Sequence, residues 1–258
     1  MTERPRYYAI NSSQNVITRD HRIVRIEDAR LRAQPPSLAR EGFGLLPHKS
    51  ALSDFHDPQE LARIYVPEME RLVTQVSGAD QVVVCGPPVL RFSKCLPSPS
   101  ELNIRRPARF VHVDISDTEA AALTERWRPK NNDRSARRFA HYTVWRVLSA
   151  PPQDVPLALC DSRSVSPSDL VDADSISDIP GKPESSSIVV VVRHNQRHRW
   201  SYFADMNRDE VLLFKSHDSD PGQPRHVPHS AFKDPSCTLG VAPRASIELR
   251  AIAFWFAP

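Results

Sequence analysis

Proline is the residue that most restricts this chain. Twenty-four prolines stand against seven glycines. Each proline fixes φ and lacks the N–H that a helix interior or a central strand requires. Helices therefore cannot dominate, and stiff loops must separate short regular elements. A core is still within reach. The chain has 258 residues, 40% of them apolar and 25% charged, which suits one globular domain with extensions.

Two helices are predicted. Residues 57–77 place Leu61, Ile64, Tyr65, Met69, Leu72 and Val76 at helical spacing. Asp57 can cap this run, Pro58 suits the first helical position, and Gly78 stops it. Pro67 predicts a kink or break near Val66. Residues 117–127 follow Ser116, which with Glu119 completes an S-x-x-E capping box. Strands are predicted at 81–85, 110–116, 142–148, 188–194, 199–205, 210–216 and 245–256. NQRH and MNRD separate three of these runs as hairpin loops would. The acidic, Ser-rich segment 166–187 predicts a mobile loop. Residues 1–42, with RYYAI and RIVRIED as peripheral strands, predict an extension packing on a domain at 43–258. The fold class is mainly β with helices (α+β), an antiparallel sandwich or barrel with helices outside.

The net charge of +3 is too small to argue for nucleic acid or an anionic membrane. Arginine supplies 28 of the 34 cations, which biased base composition explains better than function. No apolar run approaches the ~20 residues of a membrane helix, and MTERPRYYAINSSQ lacks a signal core. Cys85, Cys95, Cys160 and Cys237 form no CxxC pattern, so they read as reduced thiols of a cytoplasmic protein.

Most of the ten histidines sit in polar or turn contexts. His112 lies in Val-His-Val-Asp-Ile, and side chains at i and i+2 of a strand share a face. His112 and Asp114 thus offer an imidazole and a carboxylate to one metal, a set that suits ferrous iron when a second histidine joins. His229, His217 and His226 are the candidates for that third ligand. Fifteen residues beyond His229, Arg244, Ser246, Glu248 and Arg250 alternate with Ala245, Ile247, Leu249 and Ala251. Two inward arginines need an anion. Glu248 is one candidate and a bound dicarboxylate, gripped by a guanidinium fork, is another.

The order HxD, His, RxS in a β-rich chain resembles the iron(II)/2-oxoglutarate-dependent oxygenases. FGLLPHKSALSDFHDP, RRPARFVHVDIS, VWRVLSAPPQDVPLALCDSRSV, HRWSYFADMNRDEVLLFKSHDSD, PHSAFKDP and PRASIELRAIAF resemble successive blocks of the fungal hydroxylase/desaturase group within them, from about residue 43 to 256. The resemblance implies a double-stranded β-helix (jelly-roll, cupin-like) core. It implies Fe(II), 2-oxoglutarate and O2 as cofactors, and hydroxylation, desaturation or oxidative rearrangement of a small molecule in fungal secondary metabolism. His112, Asp114 and His229 carry over as iron ligands. Arg244 and Ser246 carry over as the 2-oxoglutarate anchor, with Arg250 competing for that role. Trp145, Arg146 and His217 fall in blocks that would line the substrate pocket. Val147 stands where the group carries proline, and His217 where it carries tyrosine. The alternatives are a non-catalytic jelly-roll partner in a biosynthetic complex, or a metal-dependent isomerase or methyltransferase. A homodimer is left open.

Overall fold

The computed structural model describes residues 4–8, 14–94, 103–130, 134–178, 183–235, 237 and 240–257. Cys95 and part of the segment 166–187 lie outside the described residues. The strands in chain order are β1 (Arg6–Tyr8), β2 (Ile26–Asp28), β3 (Phe43–Pro47), β4 (Gln81–Val84), β5 (Val89–Phe92), β6 (Asn103–Arg105), β7 (His112–Val113), β8 (Ala136–Val147), β9 (Leu157–Cys160), β10 (Leu170–Ser177), β11 (Ser185–Val192), β12 (Trp200–Tyr202), β13 (Glu210–Asp218), β14 (His229–Ala231) and β15 (Ala245–Phe256). One sheet runs β1-β10-β11-β7-β14-β9-β12-β2. The other runs β3-β13-β8-β15-β5-β6, with β4 also paired to β15. β11, β12 and β13 are not consecutive hairpins. They pair with β10 and β7, with β9 and β2, and with β3 and β8 respectively. β11 and β12 both belong to the first sheet, where β7, β14 and β9 stand between them, and the step from β12 to β13 changes sheet. NQRH therefore joins two non-adjacent strands of one sheet, and MNRD lies on the passage to the other sheet.

The N-terminal segment gives the first sheet both of its edges. β1 adds parallel to β10 at one end, and β2 adds parallel to β12 at the other.

The 166–187 segment departs from its expected loop. Residues 170–177 form β10, which makes an eight-residue antiparallel ladder with β11. A peripheral strand can rest on its backbone ladder and tolerate polar side chains on its open face, so acidic, Ser-rich composition did not betray it.

Helical structure runs without a break from Pro58 to Ser77. Asp57 accepts from the N–H groups of Gln59 and Glu60, and Gly78 ends the run in the left-handed region at φ 67°. The kink expected at Pro67 is absorbed upstream. Residues Leu61–Tyr65 make a π-helical turn in which Val66 N–H reaches Leu61. The regular helix Val66–Ser77 then begins with proline in its first turn, where the missing N–H costs little. The helix Asp117–Arg126 starts at Ser116, whose hydroxyl accepts from Glu119 N–H at 3.1 Å. The second arm of the capping box is diverted. Ser116 N–H donates to Ile188, and the Glu119 carboxylate accepts from Ile188 N–H.

Alternation along β8 and β15 separates two layers. Tyr142, Val144, Ile247, Leu249 and Ala251 pack outward against Tyr65, Met69 and Val73 of the first helix. Trp145, Val147, Leu212 and Phe214 point between the sheets, where they meet Leu159, Phe203 and Val227. Residues paired across an antiparallel ladder share a face, so Ser246, Glu248 and Arg250, opposite Val147, Trp145 and Thr143, also face the interior.

Candidate active site

His112 and His229 are direct partners in the β7–β14 ladder. Their rings lie 4.3 Å apart between centroids. Asp114 follows two residues after His112, and its Oδ1 lies 3.8 Å from His229 Nε2. The ligand atoms of all three groups fall within 4.8 Å of one another, and all three residues are buried. Each imidazole is turned by its own Nδ1. His112 Nδ1 donates to the Phe110 carbonyl at 3.0 Å, and His229 Nδ1 to the Val227 carbonyl at 3.2 Å. That choice of tautomer leaves both Nε2 lone pairs for a metal. Burial, then the neighbouring His229, brings His112 down to about 3, so this imidazole stays neutral and able to ligate.

The Asp114 carboxylate is held from both sides. Its Oδ2 accepts from Thr143 Oγ1 at 2.5 Å and from Ser216 Oγ at 3.5 Å, and its Oδ1 accepts from Arg250 Nη2 at 2.7 Å. Burial alone would raise this carboxyl, but Arg250 and the two imidazoles outweigh it and keep it far below the usual range. A cavity of about 120 Å³ adjoins the carboxylate, bordered by Thr143, His141, Ser216 and Arg250.

The Arg-Ser-Glu-Arg row faces the interior as its alternation predicts, but its members differ. Glu248 is not the partner of Arg244 or Arg250. It is gripped by both arms of Arg91 at 2.8 and 2.6 Å. Arg250 is taken up by Asp114. Arg244 is 1% exposed and has no carboxylate against it. Its Nη1 donates to the Val155 carbonyl at 2.6 Å, and its guanidinium lies 5.5 Å from the Trp145 ring. Burial, then the charge of Arg91, brings it down to about 9. Among the described residues, the buried side-chain atoms with no partner are Ser201 Oγ, Arg244 Nε and Ser246 Oγ. Two of the three belong to the RxS pair. An orphaned guanidinium atom beside an orphaned hydroxyl is what a carboxylate would complete. Trp145, beside this guanidinium, is two residues from Thr143, which touches Asp114, a spacing of about 6.6 Å along a strand.

Two residues expected to line the pocket lie elsewhere. Arg146 follows Trp145 on a strand, so its side chain takes the opposite face. There it is fully buried against the His48 and Arg208 carbonyls, His48 Nδ1 and Tyr65 Oη. His217 points away from the triad and donates from Nδ1 to Asp117 at 2.7 Å. Arg91, Thr143 and Ser216 escaped the sequence reading. The four-residue strand Val89–Phe92, with its mixed pattern, offered little signal for Arg91.

Comparison with known proteins now adds to this geometry. Residues 2–254 match the YDMC family, described as oxidoreductase/YMDC permease-like domain. The chain is 31% identical to hydroxylase/desaturase CTB9 of Cercospora beticola, over 91% of this chain and 76% of that one. It is 30% identical to Fe(II)/2-oxoglutarate-dependent dioxygenase nvfI of Aspergillus novofumigatus, over 90% and 82%. The chain belongs to the fungal iron(II)/2-oxoglutarate-dependent hydroxylase/desaturase family. A solved structure titled iron and alpha-ketoglutarate-dependent endoperoxidase NvfI superimposes with a TM-score of 0.79 at 27% identity, covering 100% of this chain and 95% of that one. The jelly-roll core expected of the family is the fold observed. Among the described residues, no helix is long and apolar enough to cross a membrane.

Proposed function

We infer that this family member is an iron(II)- and 2-oxoglutarate-dependent dioxygenase in which His112, Asp114 and His229 hold the metal and Arg244 with Ser246 anchors the co-substrate. The observation that carries the reading is the pair of free Nε2 lone pairs facing one carboxylate, one interior row from an unpaired guanidinium. Fe(II) with 2-oxoglutarate and O2 supplies the oxidation of C–H bonds, as hydroxylation, desaturation or oxidative rearrangement. The substrate is a small molecule of fungal secondary metabolism. Two imidazoles and a carboxylate are the donor set that would hold ferrous iron here. Arg244 and Ser246 orient the distal carboxylate of 2-oxoglutarate. Arg250 and Thr143 fix the Asp114 carboxylate, and Trp145 walls the anchor. The relatives' names favour neither a non-catalytic partner nor an isomerase or methyltransferase.

The test is succinate release by the purified chain given Fe(II), 2-oxoglutarate and O2, with and without candidate metabolites. Calorimetry of 2-oxoglutarate on the Mn(II)-loaded protein runs beside it. Binding that requires the metal, and succinate that His229→Ala abolishes, are expected. Neither binding nor succinate from the wild-type chain would overturn the reading.

A further inference from the structure

We propose that Asp117, His217 and His226 form a second cation site, which takes a divalent transition metal of the zinc class. Asp117 opens the helix Asp117–Arg126. Its Oδ1 receives His217 Nδ1 at 2.7 Å and His226 Nε2 at 2.8 Å. The ligand atoms of all three residues lie within 4.8 Å of one another, in a cluster separate from the His112, Asp114 and His229 set. Around one tetrahedral ion at about 2.1 Å, ligand atoms stand roughly 3.4 Å apart. Displacements below an ångström would therefore admit the ion.

The surroundings suit a bound metal. The His217 ring stacks on Phe139 at 5.5 Å with a 20° tilt and meets His141 edge-on at 6.0 Å, so its direction is fixed. His226 has φ 54°, a left-handed backbone that histidine adopts uncommonly, and this conformation accompanies a ring that reaches Asp117. The two imidazoles are nearly enclosed, with side chains 9% and 12% exposed, whereas Asp117 is 53% exposed. Asp117 and His226 border a cleft of about 680 Å³ that no residue of the first triad lines. The fourth coordination position thus opens to water or to a small anion.

Two imidazoles with one carboxylate select zinc-class metals over calcium or magnesium, and the affinity order places zinc above ferrous iron. The site also joins the segments that carry the first one. Asp117 is three residues past Asp114, and His226 three before His229. His217 adjoins Ser216, whose hydroxyl reaches Asp114 at 3.5 Å. An ion here clamps the flanks of the iron site.

The test is calorimetric titration of the metal-free chain with Zn(II) against a competing chelator. Wild type should take two equivalents, His226→Ala one, His112→Ala one, and the double variant none. Asp117→Asn, at a half-exposed carboxylate, should match His226→Ala and covers the case in which that variant fails to fold. Zn(II) should also raise the melting temperature of His112→Ala, by mass action on the folded state. A single wild-type equivalent that His112→Ala abolishes would overturn the second site and leave the first. Two equivalents surviving in Asp117→Asn would overturn it as well. A single equivalent lost in His226→Ala but kept in His112→Ala would instead sink the first site.

Discussion

Arg146 and Arg244 are both buried to within 1% of complete enclosure, yet the structure treats them in opposite ways. On the outer face of β8, Arg146 finds two backbone carbonyls, the His48 imidazole and the Tyr65 hydroxyl. At the start of β15, on the inner face, Arg244 finds one carbonyl and the Trp145 ring, and its Nε is orphaned. A satisfied buried cation holds a fold together. An unsatisfied one, with burial drawing it down to about 9, adds cost to the fold until an anion arrives. The contrast sets a satisfied buried cation against an unsatisfied one on neighbouring strands.

The largest effect should come from Arg146→Ala. It deletes a large buried side chain and strands two carbonyl acceptors. Cavity formation costs about 2–5 kcal/mol and an unsatisfied group about 1–3 more. A fall in melting temperature of roughly 10 °C or more is expected. A fall of a degree or two would show that Arg146 is dispensable and the contrast mistaken.

Arg244→Ala should reverse that pattern. It removes a costly unpaired charge, so melting should move by only a few degrees. Binding of 2-oxoglutarate to the Mn(II)-loaded protein should weaken on the order of a hundredfold or more, since truncating a buried charge partner costs about 2–5 kcal/mol. Arg250→Ala is the control, because Arg250 serves Asp114, and it should cost less. If Arg250→Ala abolishes binding while Arg244→Ala is mild, the two arginines exchange roles.

How much of this was legible beforehand differs between the two arginines. The inward row of β15 could be read residue by residue, because alternation survives in the sequence and 245–256 is a strand over its whole length. Arg146 was misread because block resemblance treats neighbours as one unit, while consecutive strand residues must diverge. Arg91 was hidden because a four-residue strand with a mixed pattern carries little periodic signal, and only the third dimension sets it against Glu248. β10 was hidden because hydrogen-bond ladders leave no trace in composition. The triad needed more than spacing. His112 and His229 are 117 residues apart, and the β7–β14 register alone makes them opposite partners.

His141 sharpens the comparison from another side, as a buried group whose charged form burial disfavours. Its Nε2 meets Thr124 Oγ1 at 2.8 Å. Burial, then His217, brings it down from 6.5 to about 3. The folded state therefore refuses a proton that the unfolded chain accepts below pH 6.5. Stability from this residue is fully present above pH 6.5 and declines by about 1.4 kcal/mol per unit as pH falls toward 3. Urea unfolding at pH 7.5, 6 and 5 should show the decline, and His141→Gln should make it shallower by this residue's share, with His112, also drawn down to about 3, keeping the rest. An unchanged slope in the variant would mean that other groups carry the pH dependence.

The smallest effect tests whether metal and co-substrate are held by separable residues. Thr143 faces the same interior row as Trp145 but donates to Asp114 at 2.5 Å, one row from Arg244. Thr143→Val keeps the shape and deletes that donor. Asp114 retains Arg250 and the more distant Ser216, so the carboxylate is loosened but not freed. Loss of a partner behind a metal ligand weakens metal binding by about 10–100-fold, and the remaining support argues for about tenfold. Once the protein is saturated with Mn(II), 2-oxoglutarate affinity should stay within about twofold of wild type, roughly 0.4 kcal/mol, because Arg244 and Ser246 are untouched. Metal titration followed by co-substrate titration measures both quantities on one sample. If Thr143→Val instead weakens 2-oxoglutarate as much as Arg244→Ala does, Thr143 touches the co-substrate, and the division of this wall into a metal row and an anchor row fails.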